Sequence, residues 1–152
     1  MSVSSYGQGI AYLDIIQAAT LSNTLSYTQD AKPTTAKRIS KAFARAAEEG
    51  RPTFVAYIVA GYPSVDQTVD ILLALESGGV DVIELGIPFT DPLADGPTIQ
   101  AAHVTALENE TDIDTCMEIV SNARARGLQA PVLFMGYYNP IMQYGESDLV
   151  KN

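Results

Sequence analysis

The run DVIELGIPFTDPLADGPTIQ, Asp81 to Gln100, begins as a strand and ends as a loop. Val82 to Ile87 is short, β-branched and apolar except for Glu84. Side chains alternate along a strand, so Ile83, Leu85 and Ile87 share one face and Val82, Glu84 and Gly86 the other. A carboxylate within an apolar strand is costly unless it is partnered or neutralised, so Glu84 is either a satisfied structural group or a poised acid–base catalyst. Gly86, Pro88, Pro92, Gly96 and Pro97 then break regular structure and bring Asp91 and Asp95 back past the strand's end. Glu84 and Asp95 can converge there, and paired carboxylates divide acid and base duties when their surroundings push their pKa values apart. Asp91 and Asp95 also fit plain turn chemistry, in which the side chain bonds its own backbone.

On the N-terminal side, Thr53 to Ala60 (TFVAYIVA) reads as a first strand turned by Gly61-Tyr62-Pro63. Ser64 and Gln67 have the spacing of a capping box for a helix to about Ser77, with Val65, Val69, Leu72 and Leu73 as its buried stripe. Strand, helix and strand in succession imply parallel strands joined by a right-handed crossover. Thr35 to Glu49 reads as an earlier helix with Ile39, Phe43 and Ala46 at helical spacing, closed by Gly50 and covering the N-terminal ends of the strands. Its basic residues fit a solvated helix surface. Residues 1–33 are rich in Ser, Thr, Gln and Asn and are expected to form a weakly ordered extension, separate from a domain over 34–152.

On the C-terminal side, Thr98 is placed to cap a helix through about Glu108, and Asp112 one from Ile113 to Arg126. Pro131 to Tyr137 reads as a third strand, broken by Asn139-Pro140, with Ser147 to Leu149 as the first turn of another helix.

At 152 residues and 47% hydrophobic the chain suffices for one ordinary domain. Net charge is −9, and between Pro52 and Ala123 there is no Lys or Arg against twelve Asp and Glu. That balance argues against nucleic acid and anionic membrane as partners, and it places any grip on an anionic substrate outside this stretch. The single Cys116 falls on a helical pattern with Met117 and Val120 and reads as a small buried side chain. With no Cys/His cluster, no metal is expected, and the lack of a secretory signal or Arg-rich presequence points to the cytoplasm. His103, the one histidine, is expected to be structural and partly exposed.

The segment ELGIPFTDPLADGPTIQ, Glu84 to Gln100, closely resembles the signature of the tryptophan synthase α chain, and the likeness runs from about Ile39 to Leu149. The run PVLFMGYYNPIMQYGE, Pro131 to Glu146, is most similar to the fused enzyme in which α and β activities share one polypeptide. The resemblance implies an α/β fold, a TIM barrel of the (β/α)8 type. Such barrels take about 250 residues. The chain is therefore expected to hold the first three strands and their helices and to lack the phosphate-binding half.

The activity implied is the retro-aldol cleavage of indole-3-glycerol phosphate to indole and glyceraldehyde 3-phosphate, in tryptophan biosynthesis. Glu84 matches the family's catalytic glutamate and Asp95 its catalytic aspartate. Tyr57, Met135 and Tyr137 match positions lining the indole pocket. Tyr57 replaces the more usual Phe, and Thr90 a common Ser. No cofactor is implied for this region; pyridoxal phosphate belongs to the β domain or subunit, the implied partner. Alone, the 152-residue chain is expected to be inactive. The alternative is a non-catalytic short form that acts only by associating with another chain.

Overall fold

The computed structural model describes residues 35–149. The expectation for residues 1–33 lies outside that range. The order is α1 (Thr35–Glu48), β1 (Val55–Val59), α2 (Val65–Ser77), β2 (Val82–Gly86), α3 (Pro97–Glu108), α4 (Ile113–Ala125), β3 (Val132–Met135), α5 (Tyr138–Tyr144) and α6 (Glu146–Leu149). The strands form a parallel sheet in the order β1-β2-β3, with Tyr57 beside Glu84 and Glu84 beside Leu133.

The register and the two-residue alternation give the sheet two distinct faces. Ile83, Leu85, Val132 and the half-buried Ala56, Ile58 and Phe134 pack with Val69, Leu72, Cys116 and Ile119 into one apolar core. Helices α2 and α4 therefore cover this face, leaning on one another. Val55, Tyr57, Val82, Glu84, Leu133 and Met135 occupy the opposite face. Glu84 is thus the polar member of a face that carries no helix of the core.

Local chemistry accounts for most element ends. Ser64 caps α2, accepting from the Gln67 N–H at 3.3 Å and donating its own hydroxyl to Gln67 Oε1 at 3.0 Å. Asp112 caps α4, with Oδ1 accepting from the Thr115 N–H at 2.8 Å, which holds its carboxyl below the ordinary value. Gly127 follows with φ 108°, a left-handed conformation that glycine adopts at little cost. Cys116 is fully buried in the core, and burial pushes its thiol up to about 12.

Three expectations need correction. Thr98 does not cap α3: Gly96 is the N-cap and Pro97 occupies the first turn, where its fixed φ suits a helix and its missing N–H costs nothing. Asn139-Pro140 does not simply end β3 but lies in the first turn of α5, where a proline is equally tolerated. In α1 the buried residues are Ala42 and Ala46, while Phe43 is half exposed.

At the N-terminal end of the sheet, α1 is tied to β2 by Asp81. This side chain is buried and accepts from Arg45 at 2.7 Å, from Arg51 at 2.5 and 2.8 Å, and from the Phe54 N–H at 2.9 Å. Arg51 foremost, then the Phe54 N–H and Arg45, hold its carboxyl well below the usual carboxylate range.

Candidate active site at the C-terminal end of the strands

Parallel strands end together, so the segments leaving β1, β2 and β3 meet at one end of the sheet, where barrel enzymes carry their chemistry. A narrow cleft there is lined by Tyr57, Ile87, Asp95, His103, Met135, Gly136 and Tyr137. Its volume is about 10 Å³, room for roughly one water.

Three of the residues singled out in the sequence project from the face opposite α2 and α4. Tyr57 and Glu84 are neighbours in register, and Met135 pairs with Gly86 one strand over. Tyr57 lies over Gly86 so closely that a Cβ there would overlap its hydroxyl and ring edge. The absent side chain thus seats the tyrosine, as a glycine within a strand often does for a close neighbour. Burial pushes the Tyr57 phenol up to about 12, and the nearby Asp95, Tyr137 and Glu84 add to the effect. Glu84 is half-buried and has no side-chain hydrogen bond or ion pair among the described residues.

The loop after β2 delivers Asp95 to the same place, with its side chain 17% exposed. Asp95 Oδ2 accepts the Tyr137 hydroxyl at 2.9 Å, and the same hydroxyl oxygen accepts the Ala94 N–H at 2.9 Å. Tyr137 therefore holds both the loop and the carboxylate, while its ring lies 5.0 Å from that of Phe89. Burial foremost, then the bond to Asp95, raise its phenol's pKa. Gln100 secures the loop from below, its Nε2 donating to Asp95 O at 2.8 Å and to Pro92 O at 3.2 Å. Asp91 stays exposed, its backbone carbonyl accepting from the Leu93 N–H at 2.9 Å, and it does not join the cleft.

His103 overturns its expected exposure. It is 2% exposed and lines the cleft. Burial lowers its pKa from 6.5, partly offset by Asp95. Its burial was legible in retrospect: Ile99, His103 and Ala106 fall on one helical stripe, so the imidazole takes an apolar position on the inner face of α3.

Among the described residues no three His, Cys, Asp or Glu side chains cluster as metal ligands, and no helix is long and apolar enough to cross a membrane. Pyridoxal phosphate needs a lysine for its Schiff base and a grip for its phosphate. The elements around this cleft carry no Lys between Pro52 and Ala123, so the residues present do not fit that cofactor.

Residues 43–152 match the family model described as tryptophan synthase alpha chain. The chain is 47% identical over 116 residues to the tryptophan synthase of Saccharomyces cerevisiae, covering 76% of this chain and 16% of that protein. It is 45% identical over 115 residues to the tryptophan synthase alpha chain of Roseiflexus sp., covering 76% and 44%. Among solved structures, the tryptophan synthase subunit alpha of Legionella pneumophila superimposes with a TM-score of 0.71 at 39% identity, over 74% of this chain and 43% of that one. The aminoacrylate-bound tryptophan synthase of M. tuberculosis does so with a TM-score of 0.70 at 31% identity, over 75% and 45%. The chain thus spans less than half the length of the relatives it matches, and its three-stranded α/β sheet corresponds to that share of their barrel.

Proposed function

This chain belongs to the tryptophan synthase alpha chain family, and we propose that its Glu84 and Asp95 serve the alpha reaction, the cleavage of indole-3-glycerol phosphate to indole and glyceraldehyde 3-phosphate in tryptophan biosynthesis. The observation that carries this reading is a half-buried Glu84 without a side-chain partner, in register with Tyr57 and on the one sheet face that packs no helix of the core. A carboxyl left free in such a place is available to exchange protons. Protonated, Glu84 delivers its proton to C3 of the indole ring. As carboxylate it then takes the proton of the glycerol hydroxyl while the carbon–carbon bond breaks and the carbonyl forms. Positive charge that develops at the indole nitrogen is met by the Asp95 carboxylate, an electrostatic role that needs a fixed charge in a dry setting. Tyr57, Met135 and Tyr137 supply apolar and aromatic surface for the flat ring.

The substrate's phosphate is held outside the stretch from Pro52 to Ala123, which has no cation to offer it. The partner is a tryptophan synthase β domain or subunit, where pyridoxal phosphate acts. A fused arrangement is favoured by the S. cerevisiae relative: one matched segment covers 16% of it but 44% of the Roseiflexus alpha chain, so it is a much longer polypeptide. The working compartment is the cytoplasm.

The test places residues 43–152 in the matched region of the Roseiflexus alpha chain, which supplies a complete barrel, and follows indole release. Glu84→Gln keeps shape but removes the exchangeable proton, so kcat falls by roughly two to four orders of magnitude. A Glu84→Gln barrel within about threefold of its parent would sink the assignment.

A further inference from the structure

One polar group in the cleft lacks a partner. His103 Nε2 is buried without a hydrogen bond, and the nearest acceptor named for it, Asp95 Oδ2, is 3.5 Å away. The other ring nitrogen is committed, since the Phe89 N–H donates to Nδ1 at 3.2 Å. That bond requires a lone pair on Nδ1, so in the neutral ring Nε2 carries the hydrogen. A buried N–H therefore faces a carboxylate across a gap too wide for a hydrogen bond, and an unmade bond at a buried donor is unfavourable.

Tyr137 is the donor that holds that oxygen in this structure, its hydroxyl donating to Asp95 Oδ2 at 2.9 Å. The cleft has no room for a bicyclic ring, so a lining side chain must move before one enters. Tyr57 is pinned within β1 and seated on Gly86, whereas Tyr137 lies beyond the last residue of β3, where the chain has already left the ladder. Tyr137 is held there by its bonds to Asp95 and the Ala94 N–H, and a ring that displaces it opens both, so that Asp95 loses its hydroxyl partner.

We infer that His103 is the positioning residue that then takes over Asp95: its Nε2–H closes on Oδ2 as the Tyr137 hydroxyl withdraws, and the aspartate passes from an anchor on the segment between β3 and α5 to one on helix α3. The inference rests on the reading of Asp95 as the working aspartate. The titratable groups that line the cleft with the imidazole are the Asp95 carboxylate from the loop, the Tyr57 phenol from β1 and the Tyr137 phenol beyond β3. Closing the bond takes a shift of under about 1 Å, to the length usual for a charge-assisted hydrogen bond.

His103 is the chain's only histidine, so ring-labelled 15N spectra of the 152-residue protein report it without ambiguity. Tyr137→Phe removes the competing donor. Its expected effect is to raise the His103 pKa by roughly one unit, the usual influence of an adjacent carboxylate, and Asp95→Asn in the same background abolishes the rise. A titration unchanged by Tyr137→Phe, or a rise that survives Asp95→Asn, overturns the inference.

A second measurement in the Roseiflexus hybrid is independent of how the short chain behaves alone. His103→Phe lowers kcat by roughly tenfold to a hundredfold with KM nearly unchanged, whereas His103→Gln, which keeps an N–H near the Nε2 position, recovers most of the loss. Equal losses in both variants, or a change confined to KM, would mean a merely structural histidine. If Asp95→Asn alone leaves kcat intact, the reading of Asp95 fails, and the 15N titration still decides whether His103 pairs with it.

Discussion

Gly86 matters through the side chain it lacks, because the Tyr57 hydroxyl and ring edge occupy the space a Cβ would need. Gly86→Ala forces the tyrosine off its seat, and a cost of about 1–3 kcal/mol is expected from overpacking, measurable by denaturant unfolding. Tyr57→Phe removes the nearest clashing atom, so the two substitutions together should cost less than their sum; strict additivity would show that the contact does not matter. His103 makes a pH prediction of its own. Burial lowers its pKa from 6.5, so between the native and unfolded values the unfolded chain binds more protons than the native one. The His103 contribution to stability is therefore complete above about pH 6.5 and is lost as pH falls towards the native pKa. His103→Gln should flatten the melting temperature over that interval, and an unaltered pH dependence would contradict the burial. At this scale Glu84 was legible because a charge in an apolar strand is conspicuous. The partners of Asp95 were not, because a loop carboxylate looks the same whether it caps a turn or faces a cleft.

Among the elements, α1 and β2 depend on one carboxylate. Asp81 gathers Arg45, Arg51 and the Phe54 N–H at the N-terminal end of the sheet, away from the cleft. Asp81→Ala leaves the Phe54 N–H without its acceptor and frees two half-exposed arginines to water. The expected loss is about 1–3 kcal/mol, less than for a fully buried pair. Since its native pKa is depressed, this stabilisation is present above the unfolded value of 3.8 and disappears as pH falls through the native one. An acid-unfolding midpoint unmoved by Asp81→Ala would rule the clamp out. The helices and strands themselves were readable from period and caps, as Ser64 and Asp112 show. The inward face of α1 was not. Its period admits either Phe43 or Ala42 as the buried position, and the small alanine side chains face inward.

For the whole molecule, the described residues leave the outer edges of β1 and β3 without a partner strand, with Val55 exposed on β1 and Phe54 exposed just before it. Open edges pair, while a net charge of −9 opposes association until salt screens it. The 152-residue chain should therefore sediment with a mass that grows with concentration, and more steeply as ionic strength is raised. A monomer under all conditions would show that these edges are covered. The same edges keep association without catalysis as the rival role for this chain. The chain's sequence carried the family through the resemblance from Glu84 to Gln100, and it carried the three strands, their parallel sheet, the first four helices and the prominence of Glu84 and Asp95, but not α5, whose Asn139-Pro140 reads as a break. The strands and helices among these rest on periodicity and local chemistry within a few residues. Only the tertiary structure decided that His103 is buried beside Asp95, that Tyr137 reaches that carboxylate from 42 positions away, and that Asp81 collects arginines 30 and 36 positions distant. Such contacts are set by which strand ends lie side by side, and no local pattern in the chain encodes that proximity.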